Sequence, residues 1–244
     1  MSIIPIERRI TNMARISMGA ETKNSFIATD LEGTLTAAEG WKSIRRYFET
    51  HGRGRRFRQF FFSQLPRILL HRLGWLDTLT LRNQWMVDMA AVFKSCTQEE
   101  LAGIGNWIIE NEFWPQRRES VVAEIQQHLA NGGYALIVSG LYEPILNSMA
   151  KRLGDERVEV LGTQLEFQNG KATGRCASEV CYGDIKAWRV KDRVGKGILV
   201  AAYGDTVGDV PMLAASQGPV AVCPDGDLRR VAIERGWQIM EEGT

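Results

Sequence analysis

Four short apolar runs, each leading into Ser, Gly or Asp, constrain this chain more than any other feature. They are SFIATDL (25–31), YALIVSG (134–140), GILVAAYGD (197–205) and GPVAVCPD (218–225). Near-continuous apolar runs of this length suit strands buried on both faces, as in a parallel sheet. A fifth segment, WQIME (237–241), is predicted to be an edge strand. Helical patterns separate the runs. RESVVAEIQQHLANGG places Val121, Val122, Ile125 and Leu129 on one face and stops at Gly132-Gly133; EPILNSMAKRLG has Pro144 in its first turn and Gly154 at its end. Strands alternating with helices predict an α/β fold, a three-layer Rossmann-like parallel sheet joined by right-handed crossovers. In such sheets ligands bind outside the carboxyl ends of the strands, which is where the polar residues collect.

Two stretches break the alternation. ERVEVLGTQLEFQNGKATGRC (156–176) reads as a hairpin turning at Asn169-Gly170. The span from Thr36 to about Pro115 is too long for a crossover and is rich in helix-compatible apolar residues and tryptophan (Trp41, Trp75, Trp85, Trp107, Trp114). It is predicted to be a helical cap inserted after the first strand. The expected division is a core of residues 1–36 and 116–244 and a cap of 37–115. Residues 1–25 read as an extension or short element before the first strand.

A formal net charge of +1 over 244 residues gives no bulk attraction for nucleic acid. The four cysteines form no CxxC pair and have no histidine at zinc-ligand spacing, so free thiols in a reducing compartment are expected. With no stretch long enough to span a bilayer and no secretory apolar core near the N-terminus, a cytoplasmic protein is expected.

The first apolar run ends in FIATDLEGTLT (26–36), where Asp30 and Glu32 stand one residue apart. Repulsion and desolvation make this costly unless a cation, a hydrogen-bond network or chemistry compensates. On an extended backbone the two carboxylates point to the same side. Three further elements sit at strand ends or between them: Ser139-Gly140, Lys186 in CYGDIKAWRV, and GDTVGD (204–209) with Asp205 and Asp209.

Together these four elements resemble the haloacid dehalogenase-like phosphohydrolases, specifically the phosphoserine-phosphatase-like branch with a helical cap after its first motif. GDTVGDVPML, followed by PVAVCPDGDLRRVAIERGW, and GKATGR before CYGDIK carry the likeness furthest. The resemblance implies a Mg²⁺-dependent phosphomonoesterase acting on phosphoserine or another small phosphate ester. Asp30 would be the nucleophile, forming an aspartyl-phosphate, and Glu32 the general acid and then base. Gly33, Ser139, Gly140 and Lys186 would bind the phosphoryl group, with Lys191 and Lys196 as rivals to Lys186. Asp30, the backbone carbonyl of Glu32, Asp205 and Asp209 would serve the metal, and an all-oxygen set suits Mg²⁺. Glu32 replaces the commoner Asp of this pattern. That leaves open phosphoryl transfer to an alcohol acceptor and, with the basic stretch 42–72, action on a lipid phosphate at a membrane surface or a non-catalytic phospholigand- or membrane-binding protein.

Within the expected cap, residues 42–72 carry Lys42 and eight arginines against Glu49 alone, interleaved with Phe60, Phe61, Phe62 and several leucines. One reading is helices packed by their apolar side with solvated arginines; the other is contact with an anionic partner, either peripheral contact with an anionic membrane or steering of a soluble polyanionic substrate, with single-stranded nucleic acid disfavoured by the near-neutral chain. Pro66 is expected to divide this stretch into two short helices.

Overall fold

The computed structural model describes residues 24–75 and 77–241, so residues 1–23 of the expected N-terminal extension lie outside the described part. Six parallel strands form the main sheet: β1 (Ser25–Thr29), β2 (Tyr134–Tyr142), β3 (Val158–Thr163), β6 (Ile198–Gly204), β7 (Gly218–Val222) and β8 (Gln238–Met240). Their order is β3-β2-β1-β6-β7-β8. The chain therefore starts at the centre, steps outward through β2 and β3, and returns to β6 on the other side of β1. This reversal makes the boundary between β1 and β6 the switch point, where the connections leaving the two strands diverge and open a crevice.

Apolar residues alternate across the buried strands and supply both faces. Ile27, Ala135 and Ile137 pack with Val121, Val122, Ile125 and Leu129 of α5 (Glu119–Ala130) and with Ile145 and Met149 of α6 (Glu143–Leu153). Phe26, Ala28, Leu136 and Val138 pack on the other face, against Val190 of α7 (Asp184–Val194), Met212 of α8 (Val210–Ala214) and Leu228 of α9 (Gly226–Arg235). Gly154 ends α6 in the left-handed conformation (φ 78°), as its position predicts.

The segment 156–176 departs from the single hairpin expected of it. Its first part is β3, paired in parallel with β2 in the register Ala135↔Val158 to Val138↔Leu161. Docking there extends the sheet and covers the otherwise open edge of β2. Only β4 (Leu165–Gln168) and β5 (Lys171–Cys176) form the hairpin, with Asn169 (φ 50°) and Gly170 (φ 75°) both in the left-handed region that its two-residue turn demands.

Between β1 and α5 run four longer helices, α1 (Gly40–Thr50), α2 (Gly54–Arg72), α3 (Thr78–Met89) and α4 (Gln98–Ile108). Asp77 caps α3 by accepting from the Thr80 N–H (2.9 Å), and Thr97 and Glu100 form a reciprocal capping box on α4. Pro66 does not divide α2. The helix runs through it, losing one backbone hydrogen bond at an outward-facing turn where the neighbouring Phe62 is exposed and solvent can reach the orphaned carbonyl. The segment leaves and re-enters at one place: the Ala37 N–H donates to the Gln116 carbonyl and the Arg118 N–H to the Leu35 carbonyl (both 2.9 Å). Its buried residues join the core on one sheet face through a run of edge-on rings, Phe48 to Phe93 (5.9 Å) and Phe93 to Tyr142 (5.2 Å). No helix among the described residues is long and apolar enough to cross a membrane.

Because Phe48 is fully buried where α1 meets this shared core, Phe48→Ala is expected to lower unfolding stability by about 3–5 kcal/mol. Chemical denaturation followed by circular dichroism measures it. A loss below about 1 kcal/mol would mean that the helices do not share the sheet's core.

Candidate active site

The two strands at the switch point deliver the first two acids. The Asp30 N–H, just past β1, donates to the Tyr203 carbonyl of β6 (3.0 Å), so the ladder continues to the residue that carries the first carboxylate. Asp205 follows β6 directly, and Asp209 closes the short turn after it. Lys186 projects from the first turn of α7. Its Nζ lies 2.7 Å from Asp30 Oδ1 and 2.6 Å from Asp209 Oδ1, and all three side chains are buried. Lys191 and Lys196 are exposed, whereas Lys186 is buried.

The second oxygen of Asp209 accepts from the backbone N–H groups of Asp205 (3.3 Å) and Thr206 (3.2 Å). Asp205 is held by the Thr34 hydroxyl, which donates to its Oδ1 (3.0 Å). Gly33 makes this approach feasible: with φ at 83°, a Cβ there would sit 2.0 Å from Asp205 Oδ2. Its N–H already donates to the Thr36 carbonyl (2.7 Å), and its carbonyl accepts from Arg118 Nε (3.0 Å). Gly33 thus contributes space rather than a free donor for phosphate.

Glu32 stands apart from the three aspartates. Its Oε1 accepts from the N–H of Gly40, the first residue of α1, at 2.5 Å. Ser139 and Gly140 lie within β2, not at its end as the sequence suggests, because the strand continues to Tyr142. The ladder to β3 loses register between Val138 and Tyr142, which lets this stretch leave the regular pairing. Ser139 Oγ accepts from the Leu141 N–H (3.2 Å), leaving its hydroxyl proton to donate elsewhere.

Electrostatically the cluster is short of positive charge. Burial pushes the Asp30 carboxyl up against the pull of Lys186, and burial also raises Glu32. Burial and repulsion from Asp30 and Asp209 push Asp205 up to about 8. Burial alone would discharge Lys186, but the facing carboxylates of Asp209 and Asp30 outweigh it and raise its pKa. Asp30, Asp205 and Asp209 each offer a carboxylate oxygen, all within 4.8 Å of one another. A crowded set of hard oxygen donors, with burial raising Asp30 and Asp205 and only one ammonium among them, fits a divalent cation such as Mg²⁺.

These groups open into a cavity of about 520 Å³. Asp30, Glu32, Ser139, Gly140, Lys186 and Asp205 form its floor, and Trp41, Leu81, Arg82, Trp85 and Met86 of α1 and α3 form its opposite wall. The sequence reading missed Thr34, Arg82, Trp41, Trp85 and Tyr182. The Arg82 guanidinium stacks 4.6 Å over the Tyr182 ring, joining α3 to the loop before α7. Thr34 had a usable signal, being part of DLEGT; Arg82 sits in a helix with no marked polar face and had none.

The family model for haloacid dehalogenase-like hydrolases matches residues 27–214, more than half of the chain and all the cluster residues. The chain belongs to that family. Within it, similar proteins include phosphoserine phosphatase SerB1 of Mycobacterium tuberculosis (34% identical over 138 residues, covering 55% of this chain and 43% of that one). Histidinol-phosphatase of Neisseria meningitidis serogroup C is 29% identical over 124 residues, covering 48% and 55%. The chain thus spans about half the length of the curated relatives it matches. Among solved structures, a Bordetella pertussis protein of unknown function superposes with a TM-score of 0.75 at 23% identity, over 91% of this chain and 100% of that one. A phospho-aspartyl intermediate analogue of phosphoserine phosphatase superposes at 0.57 and 19%, over 91% and 94%. These structural likenesses establish the hydrolase family's α/β fold.

Two outcomes follow from the geometry. Gly33→Ala should lower Tm and weaken Mg²⁺ binding together, since the added methyl displaces Asp205; calorimetry with and without Mg²⁺ reads both. The pH dependence has a definite sign. With Asp205 raised from the ordinary carboxylate range to about 8, the folded metal-free protein binds more protons than the unfolded chain between those limits. Its Tm should therefore fall as pH rises from about 4 to about 8, and Mg²⁺ should restore more stability at pH 8 than at pH 5. A metal-free Tm rising across that window would contradict the assignment.

Proposed function

We propose that this chain is a Mg²⁺-dependent phosphomonoesterase working through an aspartyl-phosphate on Asp30. The observation that carries the reading is the buried bridge of Lys186 between Asp30 and Asp209, with Asp205 beside it, at the floor of an open cavity. The family membership and the phosphatase names of its relatives support it.

Asp30, Asp205 and Asp209, with the backbone carbonyl of Glu32, would hold the Mg²⁺. When bound, the ion offsets the repulsion between a carboxylate nucleophile and a phosphate dianion. Lys186 shares its charge between the Asp30 carboxylate and the phosphoryl oxygens and orients the attacking oxygen. The Ser139 hydroxyl and the Gly140 amide bind a phosphoryl oxygen. Asp30 attacks phosphorus and the ester oxygen leaves, taking its proton from Glu32, whose raised pKa favours the protonated form. Glu32 then accepts a proton from the water that hydrolyses the aspartyl-phosphate, which returns Asp30 and frees phosphate. The α1–α3 wall, acting as a cap, would select the leaving group: Trp41, Trp85 and Met86 supply apolar surface, while Arg82 and Glu39 supply one charge of each sign. Small phosphate esters, phosphoserine among them, fit a cavity of this size. The free thiols of the four cysteines support a cytoplasmic setting.

Asp30→Asn should lose more than about 1000-fold in kcat on p-nitrophenyl phosphate with Mg²⁺ while keeping its circular dichroism spectrum. Near-wild-type turnover would reject the mechanism. Glu32→Gln should divide substrates by leaving group: an alkyl phosphate loses about 100-fold or more, and p-nitrophenyl phosphate much less, because its phenolate departs without a proton. Equal losses on both would remove Glu32 from the acid role.

A further inference from the structure

The helix α2 is apolar on two opposite faces, and the described residues cover only one of them. Phe57, Phe60 and Gln64, spaced three and four apart, are buried against the core. Phe62, Leu65 and Leu69 recur at the same spacing on the far side, and Leu73 follows at the helix end. Phe62 is 64% exposed, Leu69 58%, Leu73 57%, and Trp75, just beyond, 78%. Toward the N-terminus the same outward stripe continues as Arg58 and Arg55, and Arg72 flanks its far end.

Charge separates this face from the rest of the basic segment. Arg45 pairs with Glu49, Arg46 with Glu112, Arg53 with Glu100 and Arg67 with Asp88, and Arg56 donates to the Lys94 carbonyl. Among the described residues, Arg55, Arg58 and Arg72 have no such partner. Among the described residues of this segment, three of the four arginines that no carboxylate neutralises, Arg55, Arg58 and Arg72, therefore lie beside the apolar stripe; Arg56, whose partner is a neutral carbonyl, is the fourth.

We propose that this outward face of α2, with Leu73 and Trp75, docks on an anionic lipid bilayer. Exposed apolar side chains and arginines on one helix face, with an exposed tryptophan just beyond the helix end, are what partition into the headgroup region of such a membrane requires. A second copy of the chain would bring three arginines against three arginines. Residues 1–23 carry Arg8, Arg9, Arg15 and Lys23 against Glu7 and Glu21, the same sign as the face. Nucleic acid would match the arginines but leave the leucines in water. Docking would set the active-site wall beside the bilayer, because α2 leads directly into α3 and Phe61 packs against the cavity-lining Trp85 (ring centroids 6.2 Å apart).

Co-sedimentation of the full chain with vesicles tests this. The protein should pellet with phosphatidylglycerol-containing vesicles and not with pure phosphatidylcholine vesicles, and added salt should release it. Replacing Arg55, Arg58 and Arg72 by Gln should weaken partition about fivefold per residue. Phe62→Ser with Leu69→Ser should abolish partition, with Tm preserved because both side chains are exposed. Three results would overturn the proposal: no partition at low salt, equal partition into neutral vesicles, or a dimer in sedimentation velocity that Leu69→Glu dissociates. The last would assign the face to a second copy.

Discussion

One buried ammonium, Lys186, makes the arrangement of acids at this site tolerable. Asp30 and Asp209 converge on it within 2.7 Å, and without it two buried carboxylates would face each other with nothing between them. The interaction also ties together parts of the chain that lie far apart in sequence. Asp30 ends the central strand, Asp209 closes the turn after β6, and Lys186 comes from the helix that precedes β6. Their meeting depends on β6 returning to lie against β1. Even so, the cluster retains more negative than positive charge, visible in Asp205, whose pKa is pushed up to about 8. That shortfall suits a divalent cation, and the same desolvation that makes the acids costly also raises the Glu32 carboxyl.

The helices between β1 and α5 contribute in a different way. They share hydrophobic core with the sheet, and their entry and exit are joined by paired backbone hydrogen bonds. They are also bound to the site itself: Glu32 accepts from the first N–H of α1, and the Tyr142 hydroxyl, at the end of β2, donates to the Met86 carbonyl of α3. Floor and wall are therefore mechanically coupled. The floor carries the buried acids and Lys186, while the wall carries aromatic side chains and one arginine.

Legibility of the site followed the locality of the forces involved. Asn169-Gly170 was readable because left-handed conformations at two successive residues are a local demand. The faces of α5 and α6 were readable because burial follows helical period. Asp30, Glu32 and the GDTVGD acids stood out because charge at the end of a buried strand is locally costly. Harder to read was whatever depended on distant partners. The segment around Val158 scans equally as hairpin or sheet strand until β2 offers an edge. Pro66 ends a helix only where its orphaned carbonyl lacks solvent or a partner, and here it lies at an exposed turn. Trp41, Trp85 and Arg82 had no marker, since a cavity wall uses the same residue types as a core.

Taken alone, the sequence determined the α/β alternation, the position of the long helical excursion, and the acids that gather at the strand ends, because strand burial and turn conformation are written in neighbouring residues. It left three lysines open for one role. Tertiary structure decided that Lys186 is the buried one, that Gly33 makes room for Asp205, and that the described residues leave one face of α2 exposed. Each of these is settled by which distant groups meet, and that depends on strand order and packing rather than on local pattern.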